Sequence, residues 1–133
     1  MDKIIKSFIE KAKKDKQILA VALFGSATRN QNHRDIDLCV FLNKKRDDKE
    51  ATKKRIKLLG ESSDKLDITI FQQLPIYIQI RVLKEGKILF CKNQDKLYEI
   101  AFDTLKKFGD FKKPYYMYLE KVKNGPRKNT LKI

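Results

Sequence analysis

Apolar residues in this chain recur at two periods, and the change from one to the other marks out its elements. Ile4, Ile5, Phe8, Ile9 and Ala12 recur at helical spacing on an otherwise lysine-rich segment, which predicts a helix over Lys3–Asp15 with Asp2 as its cap. The unbroken run Ile18–Phe24 has the length and β-branched content of a buried strand. Asp35–Leu42 and Leu66–Phe71 alternate as strands do, and Lys87–Cys91 reads as a short fourth. Between them, Glu50–Leu59 reads as a helix closed by Gly60, and Pro75 opens a helix to about Lys84 that Glu85-Gly86 ends. Asp95 is expected to cap a helix reaching about Phe108, and Pro114 to begin another carrying Tyr115, Tyr116, Tyr118, Leu119 and Val122. No repeat or interdomain linker interrupts this order. It predicts one α+β domain over residues 1–123, a mixed sheet of about four strands flanked by helices. Its core spans 18–91, its C-terminal helices 95–123, and a basic, frayed tail follows over 124–133.

The chemistry gathers on the strands. The first strand runs into Gly25-Ser26, a turn whose backbone amides can hold a phosphate, and the second opens with Asp35-Ile36-Asp37. A side-chain period of two puts Asp35, Asp37, Cys39 and Phe41 on one face of that strand and Ile36, Leu38, Val40 and Leu42 on the other. At a rise of ~3.3 Å per residue the two acids lie about 6.6 Å apart, close enough to share a metal. Asp67 stands with Thr69 and Phe71 on one face of the third strand, where an acid is costly to bury without a cation. If the second and third strands are neighbours, Asp67 comes beside the pair, and three carboxylates can hold two divalent ions ~3.5–4 Å apart. Hard oxygen ligands without His or Cys favour Mg2+ or Mn2+ over zinc.

Composition narrows the classes. At 133 residues and 15.7 kDa the chain can bury a modest core without disulfides. Cys39 and Cys91 have no CxxC spacing and read as reduced residues in or near that core, and His33 as a surface residue of the loop before the acids. The longest apolar run has seven residues, too few to span a membrane, and Met1-Asp2-Lys3 opens a charged helix and not a signal peptide, so a soluble cytoplasmic protein is expected. A net charge of +14 and a pI near 9.8 would draw the chain towards polyanions. The lysines are spread over helix faces and loops, which favours a solvated surface over a dedicated nucleic-acid site.

A strand, Gly25-Ser26, Asp35-x-Asp37 and a later strand acid Asp67, in that order, resemble the minimal nucleotidyltransferases of the DNA polymerase β superfamily. The resemblance runs from about Ile18 to Phe90 and loosens afterwards. It implies a polymerase-β-like nucleotidyltransferase fold that uses ATP with Mg2+ or Mn2+. Gly25, Ser26 and Arg29 would hold the nucleotide, Asp35 and Asp37 both metals, and Asp67 one metal and the acceptor's proton. The loop departs from the family pattern, being about two residues shorter, with Thr28 for Ala, Asn30 for Gly and Arg34 for Ser. Free-standing chains of this size resemble the antitoxin half of toxin–antitoxin pairs whose other half is a HEPN-domain ribonuclease. That implies transfer of AMP from ATP to a tyrosine of the toxin. Two alternatives stand beside it: an antitoxin that neutralises its partner by occlusion alone, and nucleotidyl transfer to RNA or a small molecule. The aromatic cluster Phe108, Phe111, Tyr115, Tyr116 and Tyr118 reads either as a docking surface or as core.

Overall fold

The structure is a computed structural model and describes residues 2–25 and 36–109. Ser26, Arg29, His33, Asp35, the helix expected from Pro114, its tyrosines and the basic tail lie outside the described residues.

Among the described residues, four α-helices and four strands follow in the order α1 (Asp2–Lys14), β1 (Ile18–Phe24), β2 (Ile36–Leu42), α2 (Asp48–Gly60), β3 (Leu66–Ile70), α3 (Ile76–Glu85), β4 (Lys87–Cys91) and α4 (Gln94–Lys107). The strands form one mixed sheet in the order β3-β2-β1-β4. β1 pairs antiparallel with both β2 and β4, whereas β2 and β3 are parallel, as two strands joined through a crossover helix must be. The expected α+β fold is therefore found, with strand bounds within one residue of the sequence reading.

Both faces of the sheet are covered, which is why its central strands are apolar on both sides. Ile36, Leu38, Val40 and Leu42 face one layer, with Phe8 and Ala12 of α1 and Ala51 and Leu58 of α2. Cys39 and Phe41 face the other, with Ile80 and Leu83 of α3 and Leu97 and Ala101 of α4. β1 shifts register between Ile18 and Ala20. The shift lets the adjacent residues Leu19 and Ala20 join the same layer before Val21 resumes the alternation on the opposite side. Each large side chain buried this way contributes roughly 1.5–3 kcal/mol.

Among the boundaries that differ from the sequence reading, three helix ends have a clear local reason. α2 begins two residues early because the Asp47 carboxylate accepts from Glu50 N–H at 2.8 Å. Gly60 is its last helical residue and not its stop: Gly60 lacks the positive φ of a glycine cap, and Glu61 donates to Lys57 and Leu59 carbonyls instead. α4 is capped by Asn93, whose side chain accepts from Lys96 N–H at 3.2 Å, while Asp95 sits in the first turn, where its charge complements the helix dipole.

β3 ends at Ile70 because Phe71 turns into a short 3-10 segment and stacks on Phe41, with ring centroids 4.4 Å apart. The Gln72 side chain then substitutes for the missing strand: its amide donates to Leu42 O at 2.9 Å and accepts from Leu42 N–H at 3.1 Å. At the same end of the sheet, where Ile18 pairs with Leu42, Asp15 accepts from Gln17 N–H at 2.9 Å and pairs with Lys54, tying the α1–β1 turn to α2. Burial alone would raise the Asp15 carboxyl. The bonds from Lys54 and Gln17, with the charges of Lys54 and Lys92, outweigh it and hold the group below its ordinary value. Among the described residues no helix is long and apolar enough to cross a membrane.

Candidate active site

The parallel pairing of β2 with β3 decides where the acids meet. Its register sets Ile36 against Leu66 and therefore Asp37 directly against Asp67. On the other side of β2 the antiparallel register sets Asp37 against Phe24, the last residue of β1. Neighbouring strands lie ≈ 4.7–4.9 Å apart, so the two carboxylates rise side by side from one face at the end of the sheet where β1 leads into Gly25. The expectation that strands two and three are neighbours, with Asp67 beside the pair, holds for Asp37. Asp35 precedes Ile36 and lies outside the described residues.

Gly25 completes this corner for two reasons. Its φ is +83°, a left-handed conformation that residues with a Cβ rarely adopt. A Cβ there would also overlap Asp37 Oδ2 and stand 3.3 Å from its Cγ. The backbone of the turn thus comes directly against the Asp37 carboxylate, which is half-buried, whereas Asp67 is exposed.

Two like charges on adjacent strands repel, and the chain supplies a cation that the sequence reading did not single out. Arg55 of α2 donates from Nε to the Ile68 carbonyl at 2.7 Å, and its Nη2 lies 3.7 Å from Asp67 Oδ1. From sequence Arg55 is one basic residue among several on an exposed helix face. The contact exists because α2 packs along β3, the edge strand, and no spacing along the chain encodes that.

Beneath the acids, Cys39 and Thr69 continue the same face. Cys39 is fully buried, and burial pushes its thiol up to about 12 against a lowering hydrogen bond from Thr69. It is a packing residue and not a thiolate donor, as expected from its apolar setting. Among the described residues no three His, Cys, Asp or Glu side chains cluster as a metal site. Asp37 and Asp67 offer carboxylate oxygens alone, and a donor set of that kind fits Mg2+ or Mn2+. A cavity of about 280 Å3 lies elsewhere, at the far end of β2 beside Leu42, where Lys44, Lys45 and Arg46 face Lys96 and Lys107 of α4.

The profile of the family described as polymerase beta, nucleotidyltransferase matches residues 5–95, which include Gly25, Asp37, Arg55 and Asp67. A Methanocaldococcus jannaschii protein designated a protein adenylyltransferase is 30% identical over 76 residues, which are 56% of this chain. The matched part is 57% of that relative, so the chain spans little more than half its length. Among solved structures, a chain of the tri-AMPylated Shewanella oneidensis HEPN toxin in complex with MNT antitoxin superposes with a TM-score of 0.54 at 20% identity, covering 91% of this chain and 92% of that one. A chain of a toxin–antitoxin complex with AMP-PNP gives 0.55 at 22% identity, covering 87% of this chain and 91% of that one. At such identities the likeness is one of fold. With the family profile spanning more than half of the sequence, and the glycine turn and strand acids brought to one corner of the sheet, the chain belongs to the polymerase beta nucleotidyltransferase family.

Proposed function

We propose that this protein transfers AMP from ATP to a hydroxyl, most directly a tyrosine of a HEPN-domain toxin, and acts as the antitoxin of that pair in the cytoplasm. The observation that carries the reading is the register of Asp37 against Asp67 beside the Gly25 turn, in a chain of this family. The choice of acceptor is supported by relatives: the adenylyltransferase designation of the M. jannaschii protein, and the AMPylated toxin in the Shewanella complex.

In this reading Gly25 and Ser26, at the end of β1, hold the triphosphate through backbone amides and the serine hydroxyl, and Arg29 adds positive charge. Asp35, Asp37 and Asp67 would hold Mg2+ or Mn2+, which would supply charge to neutralise the phosphates and make the acceptor hydroxyl more acidic. Asp67 takes the proton of that hydroxyl. The hydroxyl oxygen bonds to the α-phosphorus as the bond from that phosphorus to the oxygen bridging it to the β-phosphorus breaks, and pyrophosphate leaves with the electron pair. Nucleotide binding is tested by titrating ATP with Mg2+ into the wild type and the double variant Asp35→Asn/Asp37→Asn in a calorimeter. The wild type should bind and the double variant should not. Equal affinities would remove the acids from the nucleotide site.

A further inference from the structure

Arg55 reaches the acid corner from outside the sheet. α2 packs against the face carrying Leu66, Ile68 and Ile70, whereas Asp67 stands on the opposite face, so the Arg55 side chain passes round the edge of β3 away from β2 to meet it. The edge is what makes this contact possible. Ile36 N–H bonds to the Lys65 carbonyl at 2.9 Å, so in the parallel ladder residues 65, 67 and 69 turn their peptide groups towards β2, and Ile68 turns its carbonyl outward. Arg55 Nε takes that outward carbonyl at 2.7 Å. Nε and Nη2 are the two donors on one edge of a rigid, planar guanidinium, so the bond to Ile68 orients that edge and leaves Nη2 at ion-pair distance from Asp67 Oδ1, 3.7 Å away.

We propose that Arg55 is a positioning residue for Asp67. Anchored on the β3 edge, it fixes the orientation of the Asp67 carboxylate and offsets the charge of two acids on adjacent strands. Its charge stands on the Oδ1 side of that carboxylate. A surface ion pair between two mobile side chains would do little of this. Here one partner is already fixed by a hydrogen bond to a strand carbonyl, so less freedom is lost when the pair forms. The inference rests on the proposed role of Asp67 as a metal ligand, and its test reads metal binding separately from transfer.

The experiment titrates Mn2+ into the wild type, Arg55→Met and Arg55→Gln, following free Mn2+ by electron paramagnetic resonance, with thermal melts in parallel. Gln retains a donor for the Ile68 carbonyl but no charge for Asp67, which guards against a variant that fails to fold. Both variants should bind Mn2+ on the order of 10–100-fold more weakly, the usual cost of losing an outer partner of a metal ligand. The Gln variant should melt near the wild type, and steady-state assays should show a lower kcat with KM for ATP little changed. Wild-type Mn2+ affinity in a folded Gln variant would overturn the proposal. If the wild type binds Mn2+ and Arg55→Gln does not, the positioning role stands even where no AMP transfer is seen, and the failure then falls on the transfer reading alone.

Discussion

Asp37 and Asp67 are register partners on adjacent parallel strands, one half-buried and one exposed, and that pairing brings two acids 30 residues apart side by side. The arrangement costs stability, because like charges directly opposite each other on paired strands repel. Asp37→Asn should therefore leave the thermal melt unchanged or raise it, while Mn2+ affinity falls by at least the ~10–100-fold that loss of an outer partner costs. Parallel melts and Mn2+ titrations check both halves. A variant that melts lower and binds as well as the wild type would show the acid to be structural.

Gly25 offers the complementary case, where stability and binding should fall together. Gly25→Ala puts a Cβ at φ +83° and against Asp37 Oδ2. The backbone strain alone costs about 1–3 kcal/mol, and the clash must also displace the carboxylate. Urea denaturation should give a lower midpoint, and calorimetry with ATP and Mg2+ a weaker complex. Unchanged nucleotide binding would mean that the turn tolerates a side chain and serves only to leave the strand.

Much of this corner was legible in the sequence. The seven-residue apolar run and the alternation in β2 and β3 placed the acids on shared faces, because period-two patterning in a sheet covered on both sides has few other solutions. Helix ends were less legible. Asn93 competes with Asp95 as the cap of α4, and the choice depends on which side chain can reach a free N–H in three dimensions. Arg55 was not legible at all, since its two partners are 12 and 13 residues away and come within reach only through the packing of α2 along the β3 edge.

Asp15 gives the fold a defined acid limit. Its carboxyl is held below the ordinary value of 3.8, so its stabilisation is complete above that value and is lost as pH falls through the lower folded value. Urea midpoints measured from pH 7 down to pH 2.5 should fall below about pH 4. Lys54→Met removes the main partner of Asp15. It should cost on the order of 1–2 kcal/mol at pH 7, between the values for surface and buried pairs, and flatten the acid limb. An acid limb identical in the variant and the wild type would assign the loss to other carboxylates.

Cys39 should resist alkylation. Its thiol is fully buried and pushed up to about 12, so almost no thiolate exists at neutral pH, whereas Cys91 is partly exposed. Iodoacetamide treatment of the folded protein followed by peptide mass spectrometry should find label at Cys91 well before Cys39. Faster labelling at Cys39 would show that the face beneath the acids opens in solution.

On the proposed function, the acid corner transfers AMP to a partner and does not merely occupy it. The direct measurement is intact-mass spectrometry of a cognate HEPN protein after incubation with ATP, Mg2+ and either the wild type or Asp67→Asn, scored together with the partner's ribonuclease activity. With the wild type, an added AMP on the partner and lost ribonuclease activity are expected. With Asp67→Asn most of both effects should disappear, because a metal ligand and the proton acceptor are removed together. No adduct with the wild type, together with full neutralisation of the partner by Asp67→Asn, would contradict it and leave neutralisation by occlusion.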